Sequence, residues 1–355
     1  MAAGGTGGHI TPALAVADEL AARGAQVTFV TTPSQVDVVA QRFPAYALEM
    51  RGFERHLLAP QNAVTLRRLA AAAPRSWEIV SAVRPHAAVG GGGYLSGPVV
   101  AVAALRGVPA LAIESDAHLG ITNRLLAPLV SRVCLSFPIE GRRPPKFVVT
   151  GRPLSAAQLA ADAATGRAVF GLTEALPVVL VFGGSQGAQS LNRACLEAFG
   201  SGPLDFQLVH VCGARNFEEM TAALAARGTD VERYRLLPYT EDLAHAMAAA
   251  DLVVGRAGGS VAEIAALGRP AILVPYPYAT ADHQSKNAAL MAAAGAAVVI
   301  ADADLDGRLL GRLVGELLGD QPRLARMAAA SRAAGRPDAT RRVADEVESL
   351  LAGRR

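Results

Sequence analysis

The sequence predicts an α/β protein of two Rossmann-like domains, each a doubly wound parallel sheet, facing across a cleft. Three observations lead there. Short apolar runs alternate with helical stretches of about ten to fifteen residues, the signature of strand–helix–strand units. The 355 residues are about twice a typical single domain. Each half also carries a glycine cluster at an early strand end, Gly4-Gly5-Thr6-Gly7-Gly8-His9 in the first and Gly183-Gly184-Ser185-Gln186-Gly187 in the second.

In the first half Gln26–Thr31, Ala87–Gly90, Ala110–Glu114 and Phe147–Thr150 read as strands. In the second half Val178–Phe182, Gln207–Val211, Leu252–Gly255, Ala271–Pro275 and Ala297–Ile300 repeat the pattern. Helices fall between them. Thr11-Pro12 marks a helix start, Leu14, Ala17 and Ala21 share one face, and Gly24 is a natural stop. Only Met1, Ala2 and Ala3 precede the first glycine cluster, although such a loop should follow a buried strand. Either that strand is a stub or the true start lies upstream. The polar, alanine-rich stretch Pro153–Arg167 holds the domain boundary. The expected division is 1–155, 156–338, and a last helix in 339–355 that packs back toward the N-terminal domain. Ligands in such folds bind at the carboxyl ends of the strands.

Composition narrows the function. The chain is 51% hydrophobic and 18% charged, a balance that fits a large buried core rather than disorder. The net charge of +3 is too small to imply nucleic acid. Cys134, Cys195 and Cys212 are scattered, with no C-x-x-C pair and no His/Cys cluster, which suits a reducing cytoplasm and argues against structural zinc. No apolar run reaches the ~18 residues needed to span a bilayer, and no basic flank marks a signal peptide. Dealings with a membrane are expected to be peripheral.

Glycine clusters at strand-to-helix turns let backbone N–H groups approach a phosphate, and the helix N-terminus adds about half a positive charge. Neither cluster fits G-x-G-x-x-G, because Ile10 stands where the last glycine belongs, and no acidic residue about twenty positions on ends a second strand. A nicotinamide site is therefore disfavoured. Gly183–Gly187 also lacks a P-loop lysine. Glycine alone fits phosphate binding and plain tight turns equally. Arg256-Ala257-Gly258-Gly259-Ser260-Val261-Ala262-Glu263 follows a strand and opens a helix. It suits a nucleoside diphosphate and its ribose, although Ser260 and Glu263 also have capping-box spacing. Gln284 and Asn287 share a helical face and can bond sugar hydroxyls, or simply begin a solvated helix. His9, at the mouth of the first loop, is the general-base candidate, with a helix-capping role as the alternative. Glu114 ends a strand facing the same cleft. Asp302-Ala303-Asp304 has the D-x-D form of a metal motif but directly precedes the helix Leu305–Leu318, so it reads as capping.

Together, GGTGGHITPALAVA at Gly4–Ala17, GGGGYLSGP at Gly90–Pro98, GGSQGA at Gly183–Ala188, RAGGSVAEIAALGRPAILVPYP at Arg256–Pro277 and HQSKNA at His283–Ala288 resemble the MurG family, in the right order over nearly the whole chain. That family contains the UDP-N-acetylglucosamine transferases that convert lipid I to lipid II in peptidoglycan synthesis, and so serve cell-wall biogenesis, cell shape and division. The resemblance implies a GT-B fold and an inverting, metal-independent reaction with no cofactor. It implies that Thr6, Gly7 and Gly8 line the donor pyrophosphate and acceptor side, with Tyr94 from the second glycine motif among the substrate contacts. Ser185 and Gln186 would meet the diphosphate beside Gly258, Gly259 and Ser260. Glu263 would hold the ribose, the backbone near Thr240 the uracil, and Gln284 with Asn287 the GlcNAc hydroxyls. His9 would take the proton from the acceptor's C4 hydroxyl, with Glu114 as the second catalytic candidate.

The chain departs from the family in places. Where the family shows H-E-Q-N this sequence has Ile113-Glu114-Ser115-Asp116, so Asp116 replaces a donor-contacting asparagine. The family's G-N-P with a nearby arginine becomes Gly151-Arg152-Pro153, which makes Arg152 the candidate phosphate-binding guanidinium. The Arg256 loop is one residue short. Two other classes compete: a related transferase with another lipid or secondary-metabolite acceptor, and an isomerase like UDP-GlcNAc 2-epimerase, whose paired acids have no counterpart here. A non-catalytic nucleotide-sugar sensor would have lost His9 or Glu263.

A polyprenyl-linked acceptor cannot leave the bilayer, so the enzyme is expected on the cytoplasmic face of the inner membrane, with its anionic surface as partner. Arg51-Gly52-Phe53-Glu54-Arg55-His56-Leu57-Leu58, followed by Leu66, Arg67, Arg68, Leu69, Arg75 and Trp77, is the candidate patch. An ordinary amphipathic helix with solvated arginines is the alternative.

Overall fold

The computed structural model describes residues 1–5, 7–50, 60–184 and 187–353, with side chains described outside 60–70. Thr6, Ser185 and Gln186 lie outside the described residues, as does Arg51–Leu58 of the expected membrane patch. Two compact units divide the chain, Met1–Ser155 with Pro337–Arg355, and Ala156–Arg336.

The first unit contains β1 (Phe29–Thr31), β2 (Ala45–Ala47), β3 (Ala88–Gly90), β4 (Ala110–Glu114), β5 (Arg132–Leu135) and β6 (Phe147–Val149). β1 pairs with β2, and β3, β4, β5 and β6 pair in sequence, all in parallel. Ala2 joins the two groups by parallel bridges to Val30 and Gly90. Its N–H donates to the Val89 carbonyl at 2.8 Å, and its own carbonyl accepts from Gly91 N at 2.9 Å. A stub strand thus stands between β1 and β3, and the strand order reverses there. β4 is buried along its whole length, with no polar alternation, as a sheet covered on both faces requires.

The helix Ala339–Ala352 belongs to this unit. Ala339, Val343, Ala344 and Val347 are buried at helical spacing, and the last three cluster with Val16, Leu20, Val89, Leu111, Ile113 and Cys134. Arg23 adds ion pairs to Asp345 and Glu348 at 2.7 and 2.8 Å.

The second unit holds β7 (Val178–Phe182), β8 (Gln207–Val211), β9 (Tyr234–Leu237), β10 (Leu252–Gly255), β11 (Ala271–Leu273) and β12 (Ala297–Val299) in the order β12-β11-β10-β7-β8-β9. All five pairings are parallel. The order reverses between β7 and β10, which places the loops after those two strands at the switch point.

β2, β5 and β9 were not expected from the sequence. Ala45–Ala47 is too short and too exposed to show an apolar run, and arginines interrupt the other two, at Arg132 and Arg235. The first helix also differs. It spans Gly7–Ala22, so Pro12 lies inside it rather than at its start. Proline lacks the N–H that would bond the Gly8 carbonyl four residues earlier. Arg152 supplies that donor instead, from Nη2 at 2.7 Å.

One buried titratable network lies in the core of the second unit. His210 is wholly buried, with Nδ1 2.8 Å from the Tyr234 hydroxyl and Nε2 3.0 Å from Asn192 Oδ1. Burial pushes its pKa down to about 3. The unfolded chain, with an ordinary histidine near pH 6.5, therefore binds a proton in the window between those values that the folded state refuses. Stability should fall as pH drops from 6.5 toward 3, by up to about 1.4 kcal/mol per pH unit from this group. Urea unfolding at several pH values should show this slope, and His210→Gln should flatten it.

Candidate active site

In the first unit the switch point brings together the loop that leaves the stub and the loop that leaves β3. His9, two residues into the helix Gly7–Ala22, is half-buried against the β3 loop. A Cβ on Gly92 would stand 2.7 Å from His9 Cδ2, and Gly92 has φ +94°, so only glycine leaves room for the imidazole. Burial lowers the His9 pKa, Asp116 opposes that shift, and Arg152 adds to it. The net effect keeps the ring neutral near pH 7. A neutral imidazole can accept a proton.

Glu114, at the end of β4, is buried and fully engaged. Oε1 accepts from Asp116 N at 3.2 Å, and Oε2 accepts from Gly120 N at 2.8 Å and Asn123 Nδ2 at 2.9 Å. Burial, with a smaller push from the Asp116 charge, holds its pKa above the usual carboxylate value, and these three bonds offset only part of that rise. The carboxylate staples the loop 115–120. Asn123, which also donates to the Ile113 carbonyl, carried no signal in the sequence.

Arg152 is likewise committed. It is buried, and Nη1 donates to the Ser115 carbonyl at 3.3 Å while Nη2 holds Gly8. The guanidinium expected at a phosphate thus braces two loops. Asp116 is half-buried on the stapled loop, and Tyr94 is exposed near the start of the helix Gly93–Leu105.

In the second unit the helices Gln189–Phe199 and Ser260–Ala266 begin at the switch point. Their N-cap residues are Ala188 and Gly259, which have no side-chain acceptor. Three helices elsewhere in the unit are capped by aspartates, with Asp162, Asp306 and Asp320 accepting from Thr165, Leu309 and Arg323. Ser260 is the first helical residue rather than the cap, so the S-x-x-E spacing does not make a capping box.

Gly187, with φ +74°, lies so close to the next strand that a Cβ would meet the Cys212 carbonyl at 2.1 Å. Glu263 is half-buried one turn into its helix, and Gly258 is half-buried beside Gln284, whose Nε2 would stand 3.7 Å from a Cβ there. Gln284 Oε1 accepts from Tyr276 N at 2.9 Å. Asn287, expected at the sugar, is wholly buried, and its Nδ2 donates to the Ala257 carbonyl at 3.0 Å, bracing the loop from beneath. Thr240 accepts from Asp242 N at the loop after β9.

The D-x-D segment is corrected. Asp306, not Asp302 or Asp304, caps the following helix, which begins at Gly307. Asp302 forms an ion pair with the buried Arg256, Oδ1 to Nη1 at 2.6 Å.

Residues 1–135 match the glycosyltransferase family 28 N-terminal domain, and residues 178–343 match the family 28 C-terminal domain. The UDP-N-acetylglucosamine--N-acetylmuramyl-(pentapeptide) pyrophosphoryl-undecaprenol N-acetylglucosamine transferase of Halorhodospira halophila is 41% identical, over 99% of this chain and 98% of that protein. The chain belongs to the MurG family of glycosyltransferases. The crystal structure of Acinetobacter baumannii MurG is similar with TM-score 0.77 and 30% identity, covering 98% of each chain. These relatives share the GT-B class, two α/β domains with parallel sheets. A UDP-N-acetylglucosamine 2-epimerase is similar in fold alone, with TM-score 0.67 at 16% identity, over 100% of this chain and 96% of that one.

The three bonds to Glu114 make a direct expectation. Glu114→Ala leaves three donors of a MurG-family loop without their acceptor, at about 1–3 kcal/mol of stability. Urea denaturation measures the loss, and a change under about 0.5 kcal/mol would show that the staple carries no load.

Proposed function

We propose that the chain transfers GlcNAc from UDP-GlcNAc to the C4 hydroxyl of N-acetylmuramyl-(pentapeptide) pyrophosphoryl-undecaprenol, lipid I, giving lipid II and UDP with inversion at the anomeric carbon. The observation that carries this reading is the meeting of two glycine-flanked helix starts at the second unit's switch point. These helix starts have no side-chain cap, so no acidic or hydroxyl group stands at their N-cap positions. Such helix ends attract a diphosphate. Glu263 bonds the ribose hydroxyls, Thr240 marks the uracil, Gln284 meets the sugar, and Ser185 and Gln186 complete the diphosphate loop. In the first unit, His9 takes the proton of the C4 hydroxyl while its oxygen bonds the anomeric carbon. The bond from that carbon to the diphosphate breaks, and UDP leaves with the electron pair.

The reading needs no metal or other cofactor, since helix amides and dipoles meet the charge that develops on the leaving group. Asp302 of the D-x-D segment is paired with Arg256.

Incubation with UDP-GlcNAc and a short-chain lipid I analogue should release UDP, and EDTA should leave the rate unchanged. His9→Ala should lower kcat by roughly 10²–10⁴, the usual worth of a positioned base. Because the His9 pKa is lowered, the acid limb of kcat/KM should lie below pH 6.5 and vanish in that variant. Unchanged turnover in His9→Ala would remove it from the chemistry.

We also propose that the enzyme docks on the anionic cytoplasmic face of the membrane. No helix among the described residues is long and apolar enough to cross one. Trp77 and Leu105 are 54% and 72% exposed, and the Arg106 guanidinium lies 4.4 Å over the Trp77 ring. An exposed indole beside arginine suits an interface where one end is apolar and the other wet. Trp77→Ala with Leu105→Ala should weaken binding to anionic vesicles severalfold while turnover of a soluble acceptor analogue is retained. Equal vesicle binding would remove these side chains from the docking surface.

A further inference from the structure

Two glycine-rich loops leave β7 and β10 at the second unit's switch point. Between them lies a closed polar ring. Arg256, directly after β10, is buried and donates from Nη1 to Asp302 Oδ1 at 2.6 Å and from Nη2 to Ser190 Oγ at 2.8 Å. Ser190 donates in turn to Asp302 Oδ1 at 2.6 Å. The remaining contacts of Arg256 Nη1 reach the carbonyls of Val274 at 3.1 Å and Pro275 at 3.3 Å, and the guanidinium lies 5.5 Å from the Tyr276 ring centroid.

The ring joins three separate pieces of chain. Ser190 is the second residue of the helix that starts after the first glycine loop. Arg256 opens the second loop. Asp302 comes from the short turn after β12. We infer that Asp302 is a positioning residue of the donor site, which through Arg256 and Ser190 holds the two helix N-termini at the spacing a diphosphate requires. This rests on the donor-site reading above. The chemistry favours it over two alternatives. A carboxylate already bonded to a guanidinium and a hydroxyl is a poor metal ligand, and the following helix takes its cap from Asp306. A buried guanidinium without a counter-charge is costly, so Asp302 is what allows Arg256 to stand beneath the loop at all. Two hydrogen bonds from one planar fork also fix direction, which a lysine could not do.

Isothermal titration of UDP into the wild-type chain, Asp302→Asn, Ser190→Ala and Arg256→Gln tests this, with steady-state kinetics on the same proteins. Asp302→Asn keeps the volume and removes the charge. It should weaken UDP binding about tenfold and raise KM for UDP-GlcNAc by a similar factor, with kcat at saturating donor within about threefold. Ser190→Ala, a smaller change that keeps the ion pair, should weaken UDP severalfold. The double variant Asp302→Asn/Arg256→Gln should bind UDP no worse than Arg256→Gln, because the two side chains act as one unit. Asp302→Glu should recover part of the affinity. If the wild type binds UDP and both Asp302→Asn and Ser190→Ala bind it equally well, the positioning role is overturned and the ring is only a structural brace. If the wild type does not bind UDP, the donor-site reading itself fails and this inference falls with it.

Discussion

A parallel sheet whose strand order reverses has one place where two neighbouring loops leave in opposite directions, and the chemistry proposed for this protein depends on that place. In the first unit the reversal lies at the Ala2 stub, and in the second it lies between β7 and β10. Helices begin at both, and their first amides point where no later strand can cover them. Loops that open there must run close to neighbouring backbone, and this selects glycine. Gly187 against the Cys212 carbonyl and Gly92 against the His9 ring are the clearest cases. Glycine admits the close approach but supplies nothing to hold the loop.

Both units answer that weakness in the same way, with a buried arginine whose donors serve backbone carbonyls and fixed partners. Arg152 bonds the carbonyls of Gly8 and Ser115, and Arg256 bonds those of Val274 and Pro275 together with Asp302 and Ser190. Pro12 makes the logic visible in the first unit. It removes one helical donor, and the Gly8 carbonyl so released is the one that Arg152 takes up. Glu114 does the complementary work for donors, collecting three N–H groups around the loop 115–120. Each glycine loop therefore stands on polar side chains anchored elsewhere in its unit.

That arrangement explains what the sequence could and could not reveal. Long apolar strands such as Val178–Phe182 and Ala110–Glu114, the glycine clusters and the family motifs are local, and local pattern was enough to read the fold class and the reaction. Short strands such as Ala45–Ala47, which lack an apolar run, were invisible. The bracing bonds were not legible because their partners are distant in sequence: by residue type alone Arg152 suits a phosphate, Asp302 a helix cap, and Asn287 a sugar hydroxyl. Each type is chemically suited to the role first given it. What shows the bracing is burial together with the position of a partner at least 30 residues away, and neither is a property of a motif. Asn123 had no signal at all, because one asparagine in a short helix looks like any other.

The same distinction bears on why the helix starts at the proposed donor site have no side-chain caps. An aspartate, asparagine or serine at an N-cap stabilises a helix by about 1 kcal/mol over alanine. The second unit uses that device at Asp162, Asp306 and Asp320, so its sequence is not short of capping residues. At Ala188 it forgoes that gain, and at Gly259 only about a few tenths of a kcal/mol of it. A carboxylate at either position would satisfy the first amides internally and place a negative charge where the diphosphate is to sit, doubly opposing an anionic ligand. Alanine and glycine add no such charge, so the positive end of the helix dipole is not neutralised there. The stability lost at these two ends is then offset by the ring around Arg256, which holds the helices that a cap would otherwise have secured. Uncapped helix starts and strong bracing are two halves of the proposed donor site, since backbone N–H groups bind an anion well only if they are fixed in place.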